Sequence, residues 1–88
     1  MDRTDRLRRL KFRAWHRGTR EADFMIGCFF DARHHAWDTA AIDWFEALLD
    51  EDDADVLAWV LGGLPVPPRY AGELMDAFRK LDFVEIPR

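Results

Sequence analysis

Arg17, Arg20, Glu21 and Asp23 gather around Gly18 in a single stretch, Arg17-Gly18-Thr19-Arg20-Glu21-Ala22-Asp23. Two guanidiniums and two carboxylates at this spacing suit charge recognition and helix capping. They do not suit bond-making, because the chain holds no convincing nucleophile–base pair, no nucleotide-binding glycine fingerprint and no metal constellation. Gly18 can end one helix by taking a positive φ, which a residue without Cβ adopts at low cost. It can also stand at the N-cap of the next helix. Glu21 is then at N3, where its carboxylate reaches back to the cap amide and faces the positive end of the helix dipole. On spacing alone this is a capped corner with arginines on its outer face.

Other chemistry-bearing residues carry less. His34 and His35 are neighbours, so on a helix they point to different faces, whereas helix-borne ligands sit three or four apart. A solvated corner between helices accounts for them. Asp50-Glu51-Asp52-Asp53-Ala54-Asp55 lacks the glycine and terminal glutamate of a calcium loop, and its last carboxylates suit the start of a helix. The single cysteine, Cys28, excludes an intramolecular disulfide and lies in an apolar run, as expected of a protein of a reducing compartment.

The elements that position the charged corner follow from periodicity. Leu7, Leu10 and Ala14 mark the inner stripe of a first helix from near Thr4 or Asp5 to His16, widened by Phe12 and Trp15. Met25, Cys28, Phe29 and Ala32, with Ile26 and Phe30, mark a second from about Thr19 to Phe30 or slightly beyond. Asp38 caps a third that reaches Leu49, with Ala41, Phe45, Leu48 and Leu49 inward and Trp44 on the flank. A fourth runs from about Ala54 to Leu61, with Val56, Leu57, Val60 and Leu61 inward and Trp59 partly exposed. Gly62-Gly63 ends it, Leu64 to Pro68 forms a stiff link, and Pro68 at N1 opens a fifth to about Lys80. The expected fold is all-α: a single domain over residues 1–88, a bundle of five short helices, with 82–88 a short tail lying across it.

Eighty-eight residues make one domain, and so short a chain needs a core dense in large side chains. Seven Phe, four Trp and one Tyr supply that bulk. The apolar runs fall far short of the roughly 18–20 residues of a membrane span, so a soluble protein is expected. The net charge of −4 is unevenly spread: Met1 to Arg20 carries eight Lys/Arg against two Asp, and the remainder five against fifteen Asp/Glu. A chain polarised in this way can orient as it approaches a partner. The basic first helix also keeps open a nucleic-acid-binding adaptor, although no helix-turn-helix or zinc pattern accompanies it.

Arg17-Gly18-x-x-Glu21-x-Asp23, following a basic helix, resembles the Arg-Gly-x-x-Glu signature of the succinate dehydrogenase assembly factors. The likeness extends to Phe29-Phe30, to Phe45-Glu46-x-Leu48-Leu49, and to Asp53-x-Asp55-x-Leu57-x-Trp59, where Ala54 replaces a proline. His16 stands where a second arginine is common, and Ala22 replaces a common leucine. From Leu64 onward the match is loose.

The resemblance implies a five-helix bundle that promotes covalent attachment of FAD to the flavoprotein subunit of succinate dehydrogenase, or of fumarate reductase. It implies a non-enzymatic, chaperone-like factor. The acidic Asp2 and Asp5 and the lack of Ser and of an apolar leader stretch suit the bacterial cytoplasm, and a monomer that binds no FAD stably, no metal and no nucleic acid is expected. The chemistry would belong to the flavin and to a histidine of the flavoprotein. Arg17 would offer a forked contact to the partner, Gly18 would admit its backbone, Glu21 would orient Arg17 or meet a partner donor, Arg20 and Asp23 would be peripheral contacts, and Trp59 an apolar anchor.

Overall fold

The computed structural model describes residues 2–83. Five α-helices follow one another: α1 (Arg3–Trp15), α2 (Arg20–Arg33), α3 (Thr39–Leu49), α4 (Asp53–Leu61) and α5 (Glu73–Lys80), with a 3₁₀ turn at His34–Ala36 after α2. There is no strand among the described residues. The Cα radius of gyration is 12.3 Å, against about 12 Å for a compact chain of this length.

Four of the helices start on an oxygen-bearing side chain. Asp2, Thr19, Asp38 and Asp52 accept from the backbone N–H of Asp5, Ala22, Ala41 and Ala54, and a cap of this kind contributes about 1 kcal/mol. Asp38 is thus the cap that its position promised. Gly62 ends α4 at φ +86, a conformation that glycine adopts without steric cost.

Phe29 is at the centre of the core and has no exposure. Its ring stacks on Phe78 at 4.3 Å between centroids and meets Phe45, Trp37, Trp44 and Phe83 at wider angles. Truncating a phenylalanine at such a site costs about 3–5 kcal/mol. Aromatic bulk does for this short chain what size does for a longer one.

Several inward faces differ from the sequence expectation. In α1, Leu10 and Ala14 are buried but Phe12 is 64 % exposed, because two residues from each of them on a helix it lies nearly half a turn from their stripe. In α2 the buried face runs through Ala22, Ile26, Gly27, Phe29 and Phe30, with Met25 and Cys28 at its margin and Ala32 outside. In α4, Val56, Trp59 and Val60, three and four positions apart, form the inner face and Leu61 turns out at 63 % exposure. The fifth helix opens at Glu73, not at Pro68. Tyr70 and Ala71 donate their N–H groups back to Pro67 O, and Gly72 at φ +137 breaks helical continuity. Tyr70 is buried, and it is carried by that turn. Phe83 packs on Phe29 and Phe78; the rest of the expected tail, 84–88, lies outside the described residues.

Candidate functional site

α1 ends at Trp15, and the chain turns through His16, Arg17 and Gly18 before Thr19 caps α2. Gly18 has φ +110, so a side chain there is strained even though a Cβ would meet nothing within 4 Å. Thr19 Oγ1 accepts from Ala22 N–H at 3.2 Å. The N-cap is therefore Thr19, not Gly18, and Glu21 is at N2 instead of N3. Threonine supplies the oxygen that glycine lacks, and Glu21 keeps its favourable place in the first turn beside the helix dipole.

The charged residues of the corner divide into two groups. Arg17 turns inward, with its side chain only 12 % exposed. Its Nε donates to Asp53 Oδ1 at 2.9 Å and its terminal nitrogen to Leu49 O at 2.6 Å. Leu49 is the last residue of α3 and Asp53 the first of α4, so one guanidinium ties the corner to the junction of two other helices. The carboxylate of Asp23 accepts from the backbone N–H of Arg17. Arg17 is thus engaged within the fold and does not stand on the outer face. Gly18, Arg20 and Glu21 do face solvent, with Thr19 beside them. Gly18, Thr19 and Arg20 border an open hollow of about 510 Å³ lined also by Trp15, His16, Asp23 and Phe24.

The floor of this hollow depends on Gly27. A Cβ there would fall less than 3 Å from Cδ2, Cε2 and Cε3 of Trp15. The glycine in mid-helix lets the indole lie against α2, which sets the distance between α1 and α2 next to the corner.

The basic face of α1 is largely committed to the fold on one side. Arg6 meets Asp43 at 2.5 Å and Glu46 at 3.2 Å, and Arg13 meets Asp50 at 2.6 Å. The hydrogen bond to Asp43, followed by the contacts to Glu46, holds the Arg6 guanidinium above its ordinary pKa against partial desolvation. The charge asymmetry of the sequence thus serves in part to dock α1 on α3. Among the described residues no group of three His, Cys, Asp or Glu side chains is arranged to hold a metal ion, and no helix is long and apolar enough to cross a membrane.

Residues 8–82 match the sequence profile of the family described as the flavinator of succinate dehydrogenase. The chain belongs to that family. Among curated relatives, the FAD assembly factor SdhE of Acetobacter pasteurianus is 39 % identical over 70 residues, covering 80 % of this chain and 64 % of that protein. The mitochondrial succinate dehydrogenase assembly factor 2 of Mycosarcoma maydis is 33 % identical over 69 residues, covering 78 % of this chain and 29 % of that protein. The match spans less than two thirds of the length of either relative. No solved structure matches. Nothing in these similarities points to nucleic acid.

Within this family member, the structure brings Arg17, Gly18, Arg20, Glu21 and Asp23 to one corner and leaves Trp59 apart. Trp59 was expected to be partly exposed. Its indole is 7 % exposed and packs against Tyr70, 5.4 Å between centroids, so it is core and offers no surface to a partner. Sequence reasoning missed Asp53 as the ligand of Arg17, since nothing distinguishes it from the acids around it. It also missed Gly27, for which a glycine in the middle of an apolar helical run was the available signal.

Proposed function

We propose that this chain is an assembly factor that binds the flavoprotein subunit of succinate dehydrogenase and promotes covalent attachment of FAD to it. The observation that carries the proposal is the exposed edge Gly18–Arg20–Glu21, fixed from beneath by Arg17, in a member of the flavinator family. A turn held from within the fold meets a partner with its backbone already ordered, which lowers the ordering cost of docking. Gly18 admits the partner's backbone, Arg20 and Glu21 supply a cation and an anion to pair with it, and Arg17 and Asp23 keep the turn in place.

The flavin supplies the electrophile and the flavoprotein the histidine that attacks it, so this chain contributes binding and orientation and no catalytic group. FAD stays with the flavoprotein and is not held stably here. The factor acts as a monomer in the bacterial cytoplasm, and the flavoprotein of fumarate reductase is a second client. The test is co-expression of each flavoprotein with and without this chain, with covalent flavin read as fluorescence in a denaturing gel. Fluorescence that rises with the chain present supports the proposal; equal fluorescence in both samples rejects it.

A further inference from the structure

Phe12 is the most exposed of the large apolar side chains among the described residues. A phenylalanine left in water forgoes roughly 1.5–3 kcal/mol of burial, so folding gives no reason for it. Its ring lies flat on the imidazole of His16, 4.0 Å between centroids and 15° between planes. His16 Nδ1 is 2.7 Å from Phe12 O, which makes that nitrogen the N–H donor and pins the ring. The two rings form a preformed platform on the outer side of α1.

The charges around the platform are not spent in the way that those of the opposite side are. Arg6, Arg13 and Arg17 hold Asp43 of α3, Asp50 just after it and Asp53 of α4 at 2.5–2.9 Å. Arg8 has only Asp5 at 3.8 Å and Lys11 only Asp31 at 3.5 Å, while Arg9 has no carboxylate within ion-pair reach among the described residues. Arg8 and Arg9 precede Phe12 by four and three positions, so they flank its ring. The hollow beside them, about 430 Å³, is lined by Arg8, Lys11, Phe12, Trp15, His16 and Asp31. Trp15 and His16 also line the hollow at the Gly18 corner, so the two are one continuous strip.

We infer that the flavoprotein interface runs beyond the Gly18 corner along the outer face of α1, where Phe12 on its His16 platform enters an apolar socket rimmed by carboxylates that pair with Arg8, Arg9 and Lys11. This rests on the proposed function. Positive charge on the strip complements an acidic rim, and an aromatic anchor within such a rim is the usual form of an interface hot spot.

The test titrates purified flavoprotein subunit with the full chain as wild type, Phe12→Ala, Arg8→Glu and Gly18→Arg, with melting temperature measured for each. Phe12→Ala should weaken binding at least about tenfold at an unchanged melting temperature. Arg8→Glu should weaken binding and flatten its dependence on salt. Affinity of Phe12→Ala within about twofold of wild type overturns the strip; if Gly18→Arg still fails to bind in that same series, the proposed function survives. A wild-type chain that does not bind the flavoprotein sinks both. Labelled duplex DNA bound by the wild type and released by Arg8→Glu would assign the strip to nucleic acid and overturn it as well.

Discussion

Arg17 of the α1–α2 corner and Asp53 at the start of α4 lie 36 positions apart in the chain and are joined by a 2.9 Å ion pair with side-chain exposures of 12 % and 21 %. The same guanidinium reaches Leu49 O at 2.6 Å. The arginine of the signature therefore shapes the corner from within, and its neighbours Gly18, Arg20 and Glu21 present the corner outward.

Breaking this pair should unsettle both ends of it. Asp53→Ala leaves a shielded guanidinium short of its acceptor, a loss of about 1.5–3 kcal/mol for a hydrogen bond to a charged group. Arg17→Lys should lose a smaller part, because an ammonium keeps the charge but not the planar fork that spans Asp53 and Leu49 O. Urea denaturation of Arg17→Ala, Asp53→Ala and the double variant provides the check. The double variant should cost clearly less than the sum of the singles; strict additivity would mean that the pair does no joint work.

Gly27→Ala should destabilise the fold although alanine is the better helix former. Propensity favours alanine by roughly 0.8–1 kcal/mol, but overpacking typically costs about 1–3 kcal/mol. Here three carbons of a rigid indole ring would lie under 3 Å from the new methyl. The clash therefore outweighs the propensity, and the urea midpoint should fall. A raised midpoint would show that Trp15 can move away freely.

Alkaline pH offers a third check through Tyr70. Burial, then the hydrogen bond from its hydroxyl to Glu51 at 2.9 Å, raises the Tyr70 pKa above its ordinary value. The folded state therefore holds the phenolic proton more tightly than the unfolded state does. Stability from this source is complete below pH about 10, the unfolded value, and is lost as pH climbs from there through the higher folded value. Tyr70→Phe removes that dependence while losing about 0.5–1.5 kcal/mol of hydrogen bonding at neutral pH. Urea unfolding from pH 7 to 11 should show wild type declining more steeply than the variant at the alkaline end; parallel curves would contradict it.

Much of this was legible in the chain. Helical periodicity placed all five helices, and Asp38, Gly62 and the Arg17–Asp23 stretch stood out by residue type. The misplacements share a cause: apolar character was weighed above position on the helix. Phe12 and Leu61 read as inward because they are apolar, and Trp59 as partly exposed because Val56, Leu57, Val60 and Leu61 completed a plausible stripe. Val56, Trp59 and Val60, three and four positions apart, share the buried face of α4 and leave Leu61 off it. Pro68 looked like a helix start by its fixed φ, but the buried Tyr70 and the positive φ of Gly72 delay α5 to Glu73. Arg17 could not be assigned from sequence at all, because its partners come from residues 32 and 36 positions further on.

The outward edge of the corner is tested most directly by comparing two substitutions of one glycine. At φ +110, Gly18→Ala and Gly18→Arg incur the same kind of backbone strain, about 1–3 kcal/mol, and neither Cβ meets a neighbour within 4 Å. They differ in what they place before a docking partner. Covalent flavin on co-expressed flavoprotein, read by fluorescence in a denaturing gel, should remain substantial with Gly18→Ala and nearly vanish with Gly18→Arg, at matched melting temperatures. Equal fluorescence with the two variants would contradict a partner surface at this corner.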